Sequence, residues 1–117
     1  MSKLLHAIVL VDTAEVKRLG SKKLSALLTP RELAYCAWNK HRSAEHIAAR
    51  LAAKRAFLKI LPKTPWLEME IHKEESGQPF FQFKGKTAAA LKTRKINQIH
   101  LSLSHTEDEA LASLICL

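Results

Sequence analysis

The chain has 117 residues, 47% of them apolar and 26% charged. That is one domain's worth of sequence with matter for one ordinary core, and it excludes a disordered tail or a membrane-embedded bundle. Nineteen Lys and Arg against eleven Asp and Glu give a net charge of +8, which points to an anionic partner: nucleic acid, a phosphate-rich small molecule or an acidic protein.

In chain order, Leu4 to Val11 is rich in Leu, Ile and Val and reads as a buried strand ended by Asp12-Thr13. Its uninterrupted apolar run, Ala7 to Val11, is far short of the ~20 residues a spanning helix needs, so no membrane partner is expected. A leader-peptide reading of Lys3-Leu4-Leu5 fails because Asp12 interrupts the run and no small-residue cleavage site follows. Ala14 to Leu19 reads as one or two helical turns closed by Gly20. Thr29-Pro30-Arg31-Glu32 is a strong helix start: Thr29 caps, Pro30 suits the first turn and Glu32 completes a capping box, giving a helix to about Trp38.

A second helix runs from Ser43 to Lys59 or Ile60, Ala-rich and without interior Gly or Pro. Projected at ~100° per residue, Ile47, Leu51, Leu58 and Leu61 form a stripe facing the sheet. Glu45, Ala48, Ala52, Arg55 and Lys59 form a flanking stripe whose alanines leave room for a ligand. Lys54 projects near the apolar stripe, with a half-buried stem and an amine that reaches out. Leu67 to His72 and Phe80 to Phe83 are strands joined by the turn Ser76-Gly77-Gln78-Pro79, a hairpin. Thr87 to Lys92 is a short helix. Ile99, Leu101 and Leu103 alternate with His100, Ser102 and Ser104 along a strand. A turn at Thr106-Glu107-Asp108 leads to a last strand, Leu111 to Cys116. No repeat or linker divides residues 1–117, so the expectation is a single α+β domain: a mostly antiparallel sheet packed on one long helix.

Six histidines at positions 6, 41, 46, 72, 100 and 105 form no metal-binding spacing, and no phosphate-binding glycine loop is present. Few aromatics and no recognition motif argue against nucleic acid as partner. Two cysteines 80 positions apart, Cys36 and Cys116, suit a reducing compartment, the cytoplasm.

Four segments carry a resemblance. Arg42-Ser-Ala-Glu45-His-Ile-Ala-Ala-Arg50-Leu-Ala-Ala-Lys54-Arg55-Ala-Phe-Leu-Lys59 is similar to R-x-x-E-x-x-A-G-R-F-A-A-K-E-A-x-x-K, the central helix of bacterial holo-acyl-carrier-protein synthases. His100-Leu-Ser-Leu-Ser-His105-Thr106 resembles their H-x-S-[IL]-[ST]-H-[TS]. Gly77-Gln-Pro79 resembles their G-[KR]-P turn. Asp12-Thr-Ala-Glu15-Val-Lys-Arg18-Leu resembles their D-[IV]-x-E-[IV]-x-R-[IVF]. All four occur in the family's order. The resemblance implies the 4'-phosphopantetheinyl transferase fold and transfer of phosphopantetheine from coenzyme A to a serine of an apo acyl carrier protein, releasing adenosine 3',5'-bisphosphate. It implies a homotrimer with sites between subunits.

Residue by residue, the resemblance makes Asp12 a Mg²⁺ ligand and catalytic, Lys59 a lysine near the reacting bond, and His105 a catalytic residue. Arg42, Arg50, Lys54, Pro79 and Thr106 fall on coenzyme A, and Arg18 on the carrier protein. The chain departs from the family at one chemically decisive position. K-E-A is here Lys54-Arg55-Ala56, so the second metal ligand becomes a cation. Each unit of that two-unit change is of order 4 kcal/mol at 4 Å and an effective dielectric of 20, which argues against a standard Mg²⁺ site at Asp12 and position 55. Two outcomes follow. Either Arg55 contacts the pyrophosphate as an arginine finger, leaving Asp12 or Glu45 as base, or the protein is a non-catalytic relative that binds coenzyme A or a carrier protein. Leu61-Pro-Lys-Thr-Pro65 also replaces the family's Gly-rich loop.

Overall fold

The computed structural model describes residues 4–38 and 40–117; Lys3, weighed above, lies outside them. The first apolar run forms strand β1 (Leu5–Asp12). It pairs antiparallel with the final strand, β5 (Glu109–Cys116), from Leu5 opposite Cys116 to Asp12 opposite Glu109. The strand β4 (Ile99–His105) lies on the other side of β5, antiparallel, giving the order β1-β5-β4.

The alternation expected for β4 holds, with Leu101 buried and His100, Ser102 and Ser104 exposed. The expectation of a buried β1 does not hold. Ala7 and Val11 point into the core, while Ile8 and Leu10 are 56% and 54% exposed. The sheet is covered on one face only, so every second residue of an all-apolar strand faces outward.

The described residues form five α-helices. The helix α1 (Thr13–Lys17) starts directly at the tip of β1. Next comes α2 (Ser21–Leu27), which the sequence reading omitted. Its Leu24 and Leu27 are only half-buried, so its apolar stripe is too thin to signal a helix by period. The helix α3 (Pro30–Ala37) has the expected capping box: Thr29 Oγ1 accepts from Glu32 N at 3.2 Å, and Glu32 Oε1 accepts from Thr29 N at 2.9 Å.

The long helix α4 (Ser43–Ile60) packs on β1, β5 and β4 on one side, and on α1, α3 and the hairpin elsewhere. Surrounded this way, it has no single buried stripe. Every residue from Ile47 to Lys54 is buried, and Leu58 only partly. Ala48 and Ala52 are among the fully buried residues. The room they leave is filled by the fold's own core, which corrects the expectation of an open alanine flank. Small side chains here, with Ala110 and Ala112 on β5 in the same core, let helix and sheet backbones approach closely.

The hairpin is β2 (Met69–Lys73) and β3 (Pro79–Phe83), in register from Met69 opposite Phe83 to Lys73 opposite Pro79. Gly77, at φ 91°, supplies the left-handed position of its turn. The hairpin forms its own two-stranded sheet rather than joining the first. Between the sheets, the Gln78 side-chain amide donates to Leu101 O at 2.8 Å. Phe81 and Phe83 close over Phe57 of α4, with ring centroids 5.5 and 4.7 Å away. The last helix, α5 (Gly85–Thr93), begins against Glu68, whose Oε1 accepts from Thr87 N at 2.9 Å and Thr87 Oγ1 at 2.7 Å. Cys36 and Cys116 are buried and free, and burial pushes the Cys36 thiol up to about 11. Among the described residues, no helix is long and apolar enough to cross a membrane.

Candidate active site

Lys54 of α4 is fully buried and does not reach outward. Its ammonium donates to Leu27 O at 2.8 Å, Glu32 Oε1 at 2.6 Å and Trp66 O at 3.2 Å. An ammonium has three donors, so none is left for a phosphate. This corrects the reading of Lys54 as a half-buried coenzyme A contact. Glu32 is equally enclosed, and its other oxygen accepts from Ile71 N at 2.9 Å. One carboxylate thus ties the start of α3 to α4 and β2. A charge on an otherwise buried helix face had to find such a partner. The capping box identified Glu32, but nothing local linked it to Lys54, 22 positions away.

Arg50, one turn earlier, is buried differently. It is 2% exposed, its Nη1 donates to His46 O at 3.2 Å, and its guanidinium lies 4.2 Å over the Tyr35 ring. Its Nε has no partner among the described residues. Arg50 also lines a cavity of about 70 Å³, together with His46, Ala49, Lys73, Gly77, Pro79, Leu103 and His105. Three residues singled out in the sequence, Arg50, Pro79 and His105, therefore meet here. His46, Lys73 and Tyr35 were missed. His46 is on α4, and Lys73 and Pro79 face each other across the hairpin, a juxtaposition only the tertiary fold creates.

The cavity's electrostatics are cationic. Burial holds the His46 imidazole below its ordinary value of 6.5, with Arg50, His105 and Lys73 pushing the same way. Burial would raise the Tyr35 phenol, but Lys73 and Arg50 together pull it below its ordinary value. His105 Nδ1 lies 2.9 Å from Glu45 Oε1. An ionised carboxylate only accepts, so Nδ1 carries the proton and Nε2 is the ring's remaining functional atom. A buried, partly unpaired guanidinium beside an ammonium and two imidazoles is suited to an anion with several oxygens.

The second cluster lies further along α4, at Arg55. Asp12 is the N-cap of α1 without a side-chain cap bond, and it is exposed at the strand's tip. The tip is fixed by Thr13, whose N donates to Asp108 O at 2.8 Å and whose Oγ1 donates to Glu107 O at 2.7 Å. Glu15, one turn on, grips Arg55 of α4: Nη1 to Oε2 at 3.0 Å and Nη2 to Oε1 at 2.5 Å. The bidentate bond holds the Glu15 carboxyl below the usual range and raises Arg55.

The donor set here does not fit the Mg²⁺ that the resemblance implies. Position 55 is a cation, Glu15 is spent on it, and no group of three His, Cys, Asp or Glu side chains among the described residues could hold a metal. A hard dication needs several oxygen donors and no adjoining positive charge.

The remaining candidates are peripheral. Lys59 is exposed on the last turn of α4, Arg42 precedes its first turn, and Arg18 is exposed at the end of α1. Thr106 Oγ1 accepts from Asp108 N at 3.2 Å and Glu109 N at 3.3 Å, shaping the β4–β5 turn. The loop after α4 lines a groove of about 480 Å³ with α5, rimmed by Lys63, Lys86 and Arg94.

No protein-family model matches this chain. Curated relatives do. A holo-[acyl-carrier-protein] synthase of Geotalea daltonii is 39% identical over 115 residues, 91% of each chain. One of Koribacter versatilis is 36% identical over 86% of this chain and 83% of its own. Among solved structures, the holo-[acyl-carrier-protein] synthase of Neisseria meningitidis superposes with a TM-score of 0.84 at 24% identity, covering 96% of both chains. That of Helicobacter pylori, in complex with coenzyme A, gives 0.80 at 24% identity, covering 97% of this chain and all of its own. The structural likeness establishes the α+β fold. The sequence identity, sustained over nine-tenths of both chains in the first of these relatives, makes this chain a member of the holo-[acyl-carrier-protein] synthase family.

Proposed function

We propose that this chain transfers 4'-phosphopantetheine from coenzyme A to a serine of an apo acyl carrier protein, releasing adenosine 3',5'-bisphosphate. The observation that carries the reading is the buried Arg50 with its unpaired Nε, in a cationic cavity bounded by Lys73, His105 and Pro79, within a chain of this family. Such a cavity receives a phosphate, and Pro79 gives a flat apolar edge for the nucleotide. In the reaction the serine oxygen bonds to phosphorus. The P–O bond to the adenosine half breaks, and its electron pair leaves on the bisphosphate. Asp12, an exposed carboxylate, takes the hydroxyl proton. Lys59 balances charge on the leaving oxygen. Arg42 and Thr106 extend the contacts to coenzyme A, and Arg18 with the rim lysines meets the acidic carrier.

The reading extends to one domain working in the cytoplasm as a homotrimer. The outward faces of β1 and β5 support self-association. Leu10 and Leu111 are paired neighbours there, and Ile8 and Ile115 share the same face, all exposed. A site between subunits would add a neighbour's groups to the 70 Å³ cavity, which is too small for a nucleotide by itself.

The test is to incubate the protein with coenzyme A and apo carrier proteins, with and without Mg²⁺, and follow carrier mass. The expected result is gain of one phosphopantetheine, and Arg50→Lys should weaken coenzyme A binding at least tenfold by losing the planar fork. No mass gain over a range of carriers would overturn the proposal. A second reading, binding of coenzyme A without turnover, is favoured by Arg55 alone. It is supported if nucleotide binds at one site per subunit and no carrier is modified.

A further inference from the structure

We infer that Arg55, oriented by Glu15, is a permanent internal cation on the side of the Asp12 strand tip, which stabilises the pyrophosphate so that transfer proceeds without a bound divalent ion. The inference rests on the transferase reading above and deepens it.

Three observations carry it. The first is position. Asp12 and Glu15 are the N-cap and third residue of α1, one turn apart. Glu15 holds both terminal nitrogens of Arg55. The guanidinium is therefore held by the short helix that Asp12 begins, and it stands at the α4 position where the family's motif has a second metal-binding acid. The second is capacity. A guanidinium has five N–H donors, and Glu15 takes two. The side chain remains 35% exposed, so the other donors can reach an incoming phosphate.

The third is charge. Two carboxylates loaded with a divalent cation sum to zero, and Asp12 with Arg55 also sums to zero. Glu15 is acidic in the family's motif too, so it changes neither total. A pyrophosphate arriving at Asp12 thus meets the same net charge with no ion bound. A dication would have to bind beside the guanidinium with Glu15 already engaged. The lowered Glu15 and raised Arg55 titrations agree with a pair that stays ionised throughout the neutral range.

The chemistry balances without a further reactant. The serine oxygen forms its bond to phosphorus, the pyrophosphate P–O bond breaks toward adenosine 3',5'-bisphosphate, and the proton passes to Asp12. Arg55 donates hydrogen bonds to the non-bridging oxygens as charge moves to the leaving group. Glu15 is a positioning residue: it sets the plane of the guanidinium before the nucleotide arrives.

The experiment measures metal binding and transfer separately. Mn²⁺ binding is read by electron paramagnetic resonance on the chelator-treated protein without coenzyme A, whose own pyrophosphate chelates metal. Transfer is read by carrier mass with Mg²⁺ or with excess EDTA. The native protein should bind no stoichiometric Mn²⁺, and its rate should change less than twofold between the two conditions. Arg55→Glu should acquire one Mn²⁺ site, lose at least about a hundredfold of its metal-free rate, and regain rate with Mg²⁺. Arg55→Gln should lose the rate and acquire no Mn²⁺, and it decides the matter if Arg55→Glu does not fold.

A native Mn²⁺ site abolished by Asp12→Asn would overturn the inference. So would a native rate that EDTA removes and Mg²⁺ restores, or a folded Arg55→Glu that binds no Mn²⁺. If the Mn²⁺ contrast appears while no protein modifies any carrier, the transferase reading fails and the exchange of ion for guanidinium stands.

Discussion

Lys54 and Arg50 are one turn apart on α4 and both buried, yet only one has its donors satisfied. Lys54 is structural: removing its ammonium strands the Glu32 carboxylate in the core. Lys54→Met should therefore lower unfolding free energy by about 3–5 kcal/mol, read from urea denaturation. Lys54→Met with Glu32→Gln should recover part of that loss, because no net charge is then left buried. Arg50 is the reverse case, a buried charge left incomplete. That is the state of a group shaped for a ligand rather than for stability.

His46 gives a pH signature. Its folded value lies below its ordinary 6.5, chiefly through burial. A depressed value means the fold prefers the neutral ring. Its contribution is complete above 6.5 and is lost as pH falls toward the folded value. The melting temperature should fall between pH 7 and pH 5.5, and this part of the fall should shrink in His46→Gln. Glu15 is also depressed, by Arg55, but from 4.5. Its loss comes only in the more acidic range, so the two effects separate by pH window.

At the scale of elements, the chemistry of chain ends was more legible than the chemistry of faces. Thr29-Pro30-Arg31-Glu32 declared its helix because caps are local. Thr29→Ala should cost about 1 kcal/mol, measured as a lower midpoint in denaturant with an unchanged slope. The hairpin and the β4–β5 turn were legible for the same reason: turn residues and alternation act over a few positions. The face of α4 was not. A helix enclosed on most sides loses the stripe that a period can detect, so Ala48 and Ala52 read as an open flank when they are core. β1 misled in the opposite sense, since continuous apolar residues suggest burial on both faces and this sheet has only one covered. The site was half legible. Arg50, Pro79 and His105 came from a resemblance, and the fold brings them together. Lys73, His46 and the Glu15–Arg55 grip have no local signal. The last joins residues 40 positions apart, and only the packing of α1 on α4 creates it.

At the scale of the whole molecule, the outward apolar row on β1 and β5 is the feature a lone chain should not tolerate in water. If the proposed homotrimer forms through this face, Ile8→Glu combined with Leu111→Lys should give monomer without unfolding the chain. Light scattering after size exclusion, with circular dichroism on the same sample, checks both halves of that statement. The sheet order also governs the timing of folding. Its middle strand is β5, whereas β1 and β4 are made earlier and pair only through it. A nascent chain that has emerged only as far as Asp108 has two strands with nothing to zip between them, and a long alanine-rich helix with only the β2–β3 hairpin to rest on. Assembly of this protein must wait for residues 109–116, and until they leave the ribosome the hydrophobic inner halves of β1 and β4 are open to chaperones or to one another.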